Sequence, residues 1–383
     1  MIHAATGLFE QICDMQNIQL AFLKAYKTSD PDFRYIEMNP HLYLQNLQQI
    51  LWNHKYVCSD YKHFTVYEPN TKKHRAITML PARDRIVHHA FDNVVSPIFY
   101  QKFDRYAFAC IPGRGTTVAA EVFANFLYVV HQSWGDNVWV LKGDIHHYFQ
   151  SIDHIMLYNE TAKYINDIAT LDLLWTIIKS NGAQTPEEND KGVPIGNLPS
   201  QLFANIMGNV LDNYIRQELH PVFYMRYMDD FVIAANSYQE LAVYMEKIKL
   251  FLAIVMKLEL NKNSTIVYAK NGVPFIGRVF YFDHYVPRKS NKRILTKSVE
   301  DYLKGDIPIE DFYPAFTSRI GSMVHTDAYD YIINLTSRLH EDSINKMQDD
   351  PYTKNILQYM QAESFVPISK SREDYAISFS ETS

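Results

Sequence analysis

Residues 8–55 follow a helical pattern of apolar and polar positions, with polar interruptions at Asp30-Pro31 and Asn39-Pro40. Residues 63–67 read as a short strand, Glu68-Pro69-Asn70 as a turn and residues 76–80 as the partner strand. After Pro81, the residues Ile86, Val87, Ala90, Phe91, Val94 and Val95 share one face of a helix that Pro97 is expected to stop. Residues 138–141 are a continuous apolar run of strand length closing at Lys142-Gly143-Asp144, and Ser151 or Asp153 is a candidate cap for the next helix. A long helix is predicted from Pro199 or Ser200, because Leu202, Ile206, Val210 and Tyr214 are spaced by four with Phe203, Met207 and Leu211 beside them. Two strand-like runs, 223–227 and 231–235, enclose Met228-Asp229-Asp230 and predict a hairpin with acids at its tip. A helix over 241–258, strands over 265–269 and 275–280, and mostly helix after Pro287 complete a mixed α/β pattern.

The chain has 383 residues, which suits two or three packed modules, and 47% apolar against 21% charged residues is the balance of a folded protein. No apolar run reaches the roughly 18 residues of a spanning helix, and Met1-Ile2-His3-Ala4 lacks the basic start of a secretory signal. No membrane association and a cytoplasmic location are therefore expected. Cys13, Cys58 and Cys110 are odd in number and far apart, which argues against a disulfide framework or a CxxC zinc site and for a reducing compartment. A net charge of −6 argues mildly against nucleic acid, but the charge is uneven. Residues 298–383 hold 15 acids against 7 Lys or Arg, whereas residues 270–297 hold 7 basic residues against Asp283 alone, and residues 71–85 hold 5 against Asp84 alone.

The candidate chemistry sits at the hairpin. Hairpin tips usually carry Asn-Gly or Asp-Gly; this one carries Asp229 and Asp230 between apolar strands. Two such carboxylates repel by about 4 kcal/mol at 4 Å and an effective dielectric of 20. A divalent cation reverses that sign, and hard cations such as Mg²⁺ take oxygen ligands. Asp144, at a strand end, completes such a site if its strand lies beside the hairpin. For an arbitrary Asp-Asp pair, an exposed turn is the commoner arrangement. Neighbouring histidines such as His88-His89 and His146-His147 do not chelate one ion easily from either a helix or a strand. Gly113-Arg114-Gly115 lacks the third glycine of a dinucleotide loop.

Tyr227-Met228-Asp229-Asp230 between apolar strands resembles the signature hairpin of reverse transcriptases, and further motifs follow in family order. Asp144 with Phe149 resembles the first palm motif, and residues 192–201 (Gly-Val-Pro-Ile-Gly-Asn-Leu-Pro-Ser-Gln) resemble the motif that opens the long palm helix. Phe275-Ile276-Gly277 resembles the primer-grip hairpin; Arg75-Ala76-Ile77 and residues 81–87 resemble fingers motifs, and Pro112-Gly113-Arg114-Gly115-Thr116 the loop into the palm. The resemblance covers roughly residues 60–285. It implies an α/β (α+β) right-hand polymerase with fingers, a palm of antiparallel sheet plus helices, and a small helical thumb. Residues 1–60 would be an N-terminal helical extension, 61–135 fingers with part of the palm, 136–285 the palm with its catalytic motifs, and 286–383 the thumb and acidic C-terminal tail.

The resemblance also implies roles. Asp144, Asp229 and Asp230 would be catalytic and, with the Ile145 carbonyl, hold two Mg²⁺ ions, Mn²⁺ being a substitute. Arg75, Arg85, Phe149 and Gln201 would bind the nucleotide, Arg75 and Arg85 through the triphosphate and Phe149 under the sugar; an ion pair of Arg85 with Asp84 or another acid is the alternative use of that side chain. Ile195, Gly196, Tyr227 and Met228 would face the template and govern fidelity, and Phe275, Ile276 and Gly277 would grip the primer. Ile195-Gly196 and Ser200-Gln201 stand where most relatives have Gln-Gly and Ser-Pro, and this form resembles reverse transcriptases of diversity-generating retroelements. That subtype implies error-prone, adenine-mutagenic cDNA synthesis from a template-repeat RNA for mutagenic retrohoming. Its partners would be template RNA, cDNA or primer, dNTPs and a basic pentameric accessory variability protein. The alternatives are an antiphage (abortive-infection) reverse transcriptase and a non-catalytic, maturase-like RNA-binding protein. Two residues depart from the family pattern: Ser264 replaces a lysine that would donate a proton, with Lys262 a weak substitute, and Ile111 precedes Pro112 where many relatives have arginine.

Overall fold

The computed structural model describes residues 5–68, 73–180, 190–194 and 196–339. Ile195, Pro69-Asn70 of the expected turn and residues 340–383 of the acidic tail lie outside the described residues. Four helices open the chain: α1 (Leu8–Cys13), α2 (Met15–Ala25), α3 (Pro31–Glu37) and α4 (Pro40–Trp52). The polar breaks in the sequence are their caps. Asp14, Asp30 and Asn39 accept backbone N–H groups of the first turns of α2, α3 and α4, and Pro31 and Pro40 take positions whose N–H would have no helical partner. Strands β1 (Lys62–Glu68) and β2 (Lys73–Met79) form an antiparallel ribbon with Lys62 opposite Met79.

Next come α5 (Ala82–Tyr100), α6 (Thr116–Trp134), β3 (Trp139–Asp144), α7 (Tyr148–Ser151), α8 (His154–Ala162), α9 (Ile168–Lys179) and α10 (Leu198–Tyr214). The hairpin strands are β4 (Phe223–Tyr227) and β5 (Asp230–Ala235), followed by α11 (Tyr238–Phe251) and β6 (Thr265–Tyr268). A three-stranded meander of β7 (Val273–Phe275), β8 (Arg278–Phe280) and β9 (Tyr285–Pro287) leads to α12 (Lys289–Leu303), α13 (Ile309–Met323) and α14 (Tyr329–Thr336). The palm-like sheet has the order β4-β5-β3-β6, with β3 antiparallel to β6 and Trp139 opposite Tyr268. No helix among the described residues is long and apolar enough to cross a membrane.

Two expectations change. α5 does not stop at Pro97 but runs to Tyr100. A proline there removes one ladder bond near the helix end, and burial of Val95, Ser96 and Phe99 around it keeps the last turn in place. Residues 275–280 are two strands, not one, because Ile276 (φ 37°) and Gly277 (φ 78°) both turn through the left-handed region and reverse the chain. The expected cap of α8 is Asp153, whose side chain accepts the Met156 N–H.

The described chain forms two compact units: Met1–Gly115, Gly143–Phe231 and Val243–Ser264 in one, and Thr116–Lys142, Val232–Ala242 and the stretch from Thr265 in the other. In the first, α5 packs against α2 and α10, and its face of Ile86, Val87, Ala90, Phe91 and Val95 is fully buried. In the second, Phe123 of α6 meets Phe275 and Phe280 edge-on, and Arg278 donates to the Thr116 carbonyl at 2.9 Å. The helices α12–α14 bury their own core of Leu295, Val299, Phe312, Phe316, Ile320 and Ile332.

Candidate active site

The three candidate carboxylates, Asp144, Asp229 and Asp230, all lie in the first unit. Asp144 ends β3, where the strand passes closely beside Phe231 of β5. A Cβ built on Gly143 would lie 2.1 Å from the Phe231 ring, so only glycine fits next to Asp144. The stretch after α11 wraps this strand end. Asn261 donates its backbone N–H to the Asp144 carbonyl at 2.7 Å and its side-chain amide to Asp144 Oδ2. Ser264 Oγ accepts the Asp144 N–H at 3.1 Å. Ser264 thus orders the backbone of Asp144, while Lys262 is exposed. Ile145 is buried and bridges Leu260, and its neighbour His146 donates its N–H to the Glu259 carbonyl at 2.8 Å.

The hairpin turns at Met228 and Asp229, with Asp230 as the first residue of β5. Met228 adopts φ 59°, a conformation that side chains of its kind rarely hold. Its carbonyl is pinned by Arg226 Nη1 at 2.9 Å. Arg226 is fully buried and grips Asp212 of α10 with two bonds of 2.7 and 2.8 Å, while Tyr224 OH donates to the same carboxylate and Arg226 Nη1 also reaches Asn205 Oδ1. Gly208 makes room: a Cβ there would lie 2.4 Å from the guanidinium. The strained turn is therefore bolted to the long helix beneath it.

Electrostatics mark Asp229. Burial raises its pKa to about 6, with the charges of Asp230 and Asp144 adding to the rise and Arg226 opposing it. Asp144 and Asp229 are thus near enough to repel, and Asp230 adjoins them. Among the described residues, no group of three His, Cys, Asp or Glu side chains converges tightly enough to enclose a metal ion. The donor set itself, carboxylates whose charges oppose one another at a half-buried strand end, is one that a hard divalent cation would relieve.

The expected nucleotide and template residues are brought together in part. Arg85, Gly196 and Gln201 line one cavity of about 400 Å³, with Lys24, Lys27, His88 and His89. Arg85 is ion-paired with Asp30 of the α3 cap; Asp84, the first acid expected for it, instead accepts from Arg83, Tyr56 OH and the Ser59 amide. His88 is buried, which pushes its pKa down to about 4, and burial also lowers that of His89. Phe149 is half-buried on α7, its carbonyl accepting the Val193 N–H at 2.8 Å, so it adjoins the segment that leads to Gly196. Arg75 lies in β2 opposite Val66, and its side chain is outside the described set. Tyr227 and Met228 adjoin Asp229 and are partly exposed. Phe275, Ile276 and Gly277 form the β7–β8 turn of the second unit.

Four residues escaped the sequence reading: Asn261, Arg226, Asp212 and Asp30. Asn261 had a local signal, since it stands in the Leu-Glu-Leu-Asn stretch after the hairpin. A lone arginine inside an otherwise apolar strand, Arg226, was also a signal of a buried partner. Asp212 and Asp30 had none, because their partners lie 14 and 55 positions away.

The profile of the family described as "Reverse transcriptase (RNA-dependent DNA polymerase)" matches residues 66–280, more than half of the chain. Protein YkfC of Escherichia coli K12 is 27% identical over 248 residues, covering 55% of this chain and 65% of that protein. The group II intron-encoded protein LtrA of Lactococcus lactis subsp. cremoris is 22% identical over 341 residues, 70% of this chain and 54% of LtrA. The putative COX1/OXI3 intron 1 protein of Saccharomyces cerevisiae is 21% identical over 182 residues, 47% of this chain and 21% of its own length. The chain thus spans less than two thirds of each of these relatives.

Proposed function

This chain belongs to the reverse transcriptase family, and from that premise we propose that it is an RNA-directed DNA polymerase, a nucleotidyltransferase that extends a primer along template RNA with dNTPs. The observation that supports this most is the half-buried Asp229, its charge opposed by Asp144 and Asp230 at the tip of a braced hairpin. Asp144 and Asp229 would hold two Mg²⁺ ions, with Asp230 and the Ile145 carbonyl in support. Bound there, the ions would supply charge neutralisation of the triphosphate and acidify the primer 3′ hydroxyl. The chain's own part is positional. Asn261 and Ser264 fix Asp144, Arg226 holds the Met228 turn, Arg85 and Gln201 bind the nucleotide, and Phe149 packs under the sugar. Extension of oligo(dT) on poly(rA) with Mg²⁺ tests this reading. Dependence on the RNA template supports it, and synthesis that ignores the template favours the antiphage type.

The finer reading is a diversity-generating enzyme making adenine-mutagenic cDNA with a basic pentameric accessory partner. It rests on Ile195-Gly196 and Ser200-Gln201 in place of Gln-Gly and Ser-Pro. Isoleucine offers no hydrogen bond to hold a templating base, so Ile195→Gln should lower errors opposite adenine by up to about tenfold while extension persists. Sequenced cDNA with an unchanged error spectrum would remove Ile195 from the explanation. Similarity to intron-encoded proteins supports a second reading, an RNA-binding maturase-like role, which predicts RNA binding without extension.

A further inference from the structure

Asp30 divides its two carboxylate oxygens between two tasks. Oδ1 accepts the Asp32 N–H at 3.0 Å and caps α3, while Oδ2 pairs with Arg85 Nη2 on α5. Both side chains are largely buried, 12% and 18% exposed, and the Arg85 guanidinium lies over the Phe33 ring, 4.7 Å from its centroid. Arg85 Nε, which shares an edge of the guanidinium with Nη2, is buried without a hydrogen-bond partner among the described residues. Arginine takes a phosphate best through two parallel N–H bonds on one edge. Asp30 fills one of those N–H groups and leaves the other empty. The neighbouring cavity is lined in part by Lys24, Lys27, Arg85, His88 and Gln201 and by no acidic side chain, and His88 Nε2 is a second buried nitrogen with no partner among the described residues. These unfilled nitrogens and three cations suit an acceptor-rich anion larger than a carboxylate.

We propose that Asp30 is an internal stand-in for the nucleotide's phosphates: it holds Arg85 when no nucleotide is bound, and an incoming triphosphate displaces it to take the whole Nε–Nη2 edge. The inference rests on the polymerase reading, in which Arg85 is a phosphate ligand. Asp30 then sets the apparent affinity for dNTP, because only the fraction of molecules with Arg85 released is competent to bind. The exchange replaces a one-bond ion pair by a two-bond one and fills the orphaned Nε.

Asp30→Asn separates the two tasks, since asparagine caps a helix as well as aspartate and carries no charge. The measurement is equilibrium binding of dTTP with Mg²⁺ to the full chain on poly(rA)/oligo(dT) with a chain-terminated primer. Asp30→Asn is expected to tighten dTTP about three- to tenfold, and inorganic tripolyphosphate by a similar factor, with no change for thymidine. Arg85→Ala should weaken dTTP, and Asp30→Asn should add nothing in that background. If Arg85→Ala weakens dTTP but Asp30→Asn leaves it unchanged or weaker, Asp30 is a positioning residue and the stand-in is overturned while the polymerase reading survives. If Arg85→Ala has no effect on dTTP, Arg85 is not a phosphate ligand and the stand-in falls with that assignment.

Discussion

Asn261 holds Asp144 twice, through its backbone N–H to the Asp144 carbonyl at 2.7 Å and through its side-chain amide to Oδ2. One carboxylate oxygen is thereby oriented, and on the polymerase reading the other would be left to act as a metal ligand. Groups that orient a metal ligand commonly matter about 10–100-fold, so Asn261→Ala should reduce primer extension by that factor and raise the Mg²⁺ concentration needed for half-maximal rate. Melting temperature should change little, since Asn261 is only half-buried. An unchanged Mg²⁺ requirement would show that the contact orders the loop alone.

Asp229 is predicted to trade stability for function. Its folded pKa of about 6 lies above the ordinary carboxylate value of 3.8. The folded state therefore binds this proton more tightly than the unfolded state. The group's stability is fully present below about pH 4, falls as the pH rises to 6 and stays lower above it. In EDTA at pH 7.5, Asp229→Asn should be more stable than the parent by about 1–2 kcal/mol, after allowance for partial exposure, with a smaller gain at pH 5. Mg²⁺ should stabilise the parent and not the variant. Melts in which the variant is less stable at both pH values would contradict the strained site.

Arg226 and Asp212 should behave as a buried pair. Arg226→Met leaves the Asp212 carboxylate buried among apolar groups and should cost about 3–5 kcal/mol in urea unfolding. Adding Asp212→Leu should recover much of that loss without restoring polymerisation, because the Met228 carbonyl remains unpinned. Gly208→Ala should also be destabilising, because its Cβ would lie 2.4 Å from the Arg226 guanidinium. A loss below about 1 kcal/mol for Arg226→Met would mean that water reaches the pair.

Much of this site was legible locally. Two strand-like runs on either side of Met228-Asp229-Asp230 located the hairpin, the apolar run ending at Asp144 located β3, and four-residue spacing located α10. The braces were illegible because they are tertiary. Nothing near Asp30 marks Arg85 as its partner, and nothing near Arg226 selects Asp212 over another acid. Pro97 misled because proline's local effect at a helix end was outweighed by burial of Val95 and Phe99. The strand expected over 275–280 failed because Ile276, a poor turn former, takes φ 37° beside Gly277.

The central claim is that this chain builds DNA on RNA at Asp144 and Asp229. The most direct measurement is incorporation of labelled dTTP on poly(rA)/oligo(dT) with Mg²⁺ by the parent and by Asp144→Asn and Asp229→Asn, each checked for an intact fold. The account predicts EDTA-sensitive product from the parent and a loss of about a hundredfold or more in each variant, as expected when a ligand of a two-metal centre is removed. A folded parent that makes no product under any divalent ion, or a variant that keeps a tenth of the parent's rate, would contradict it.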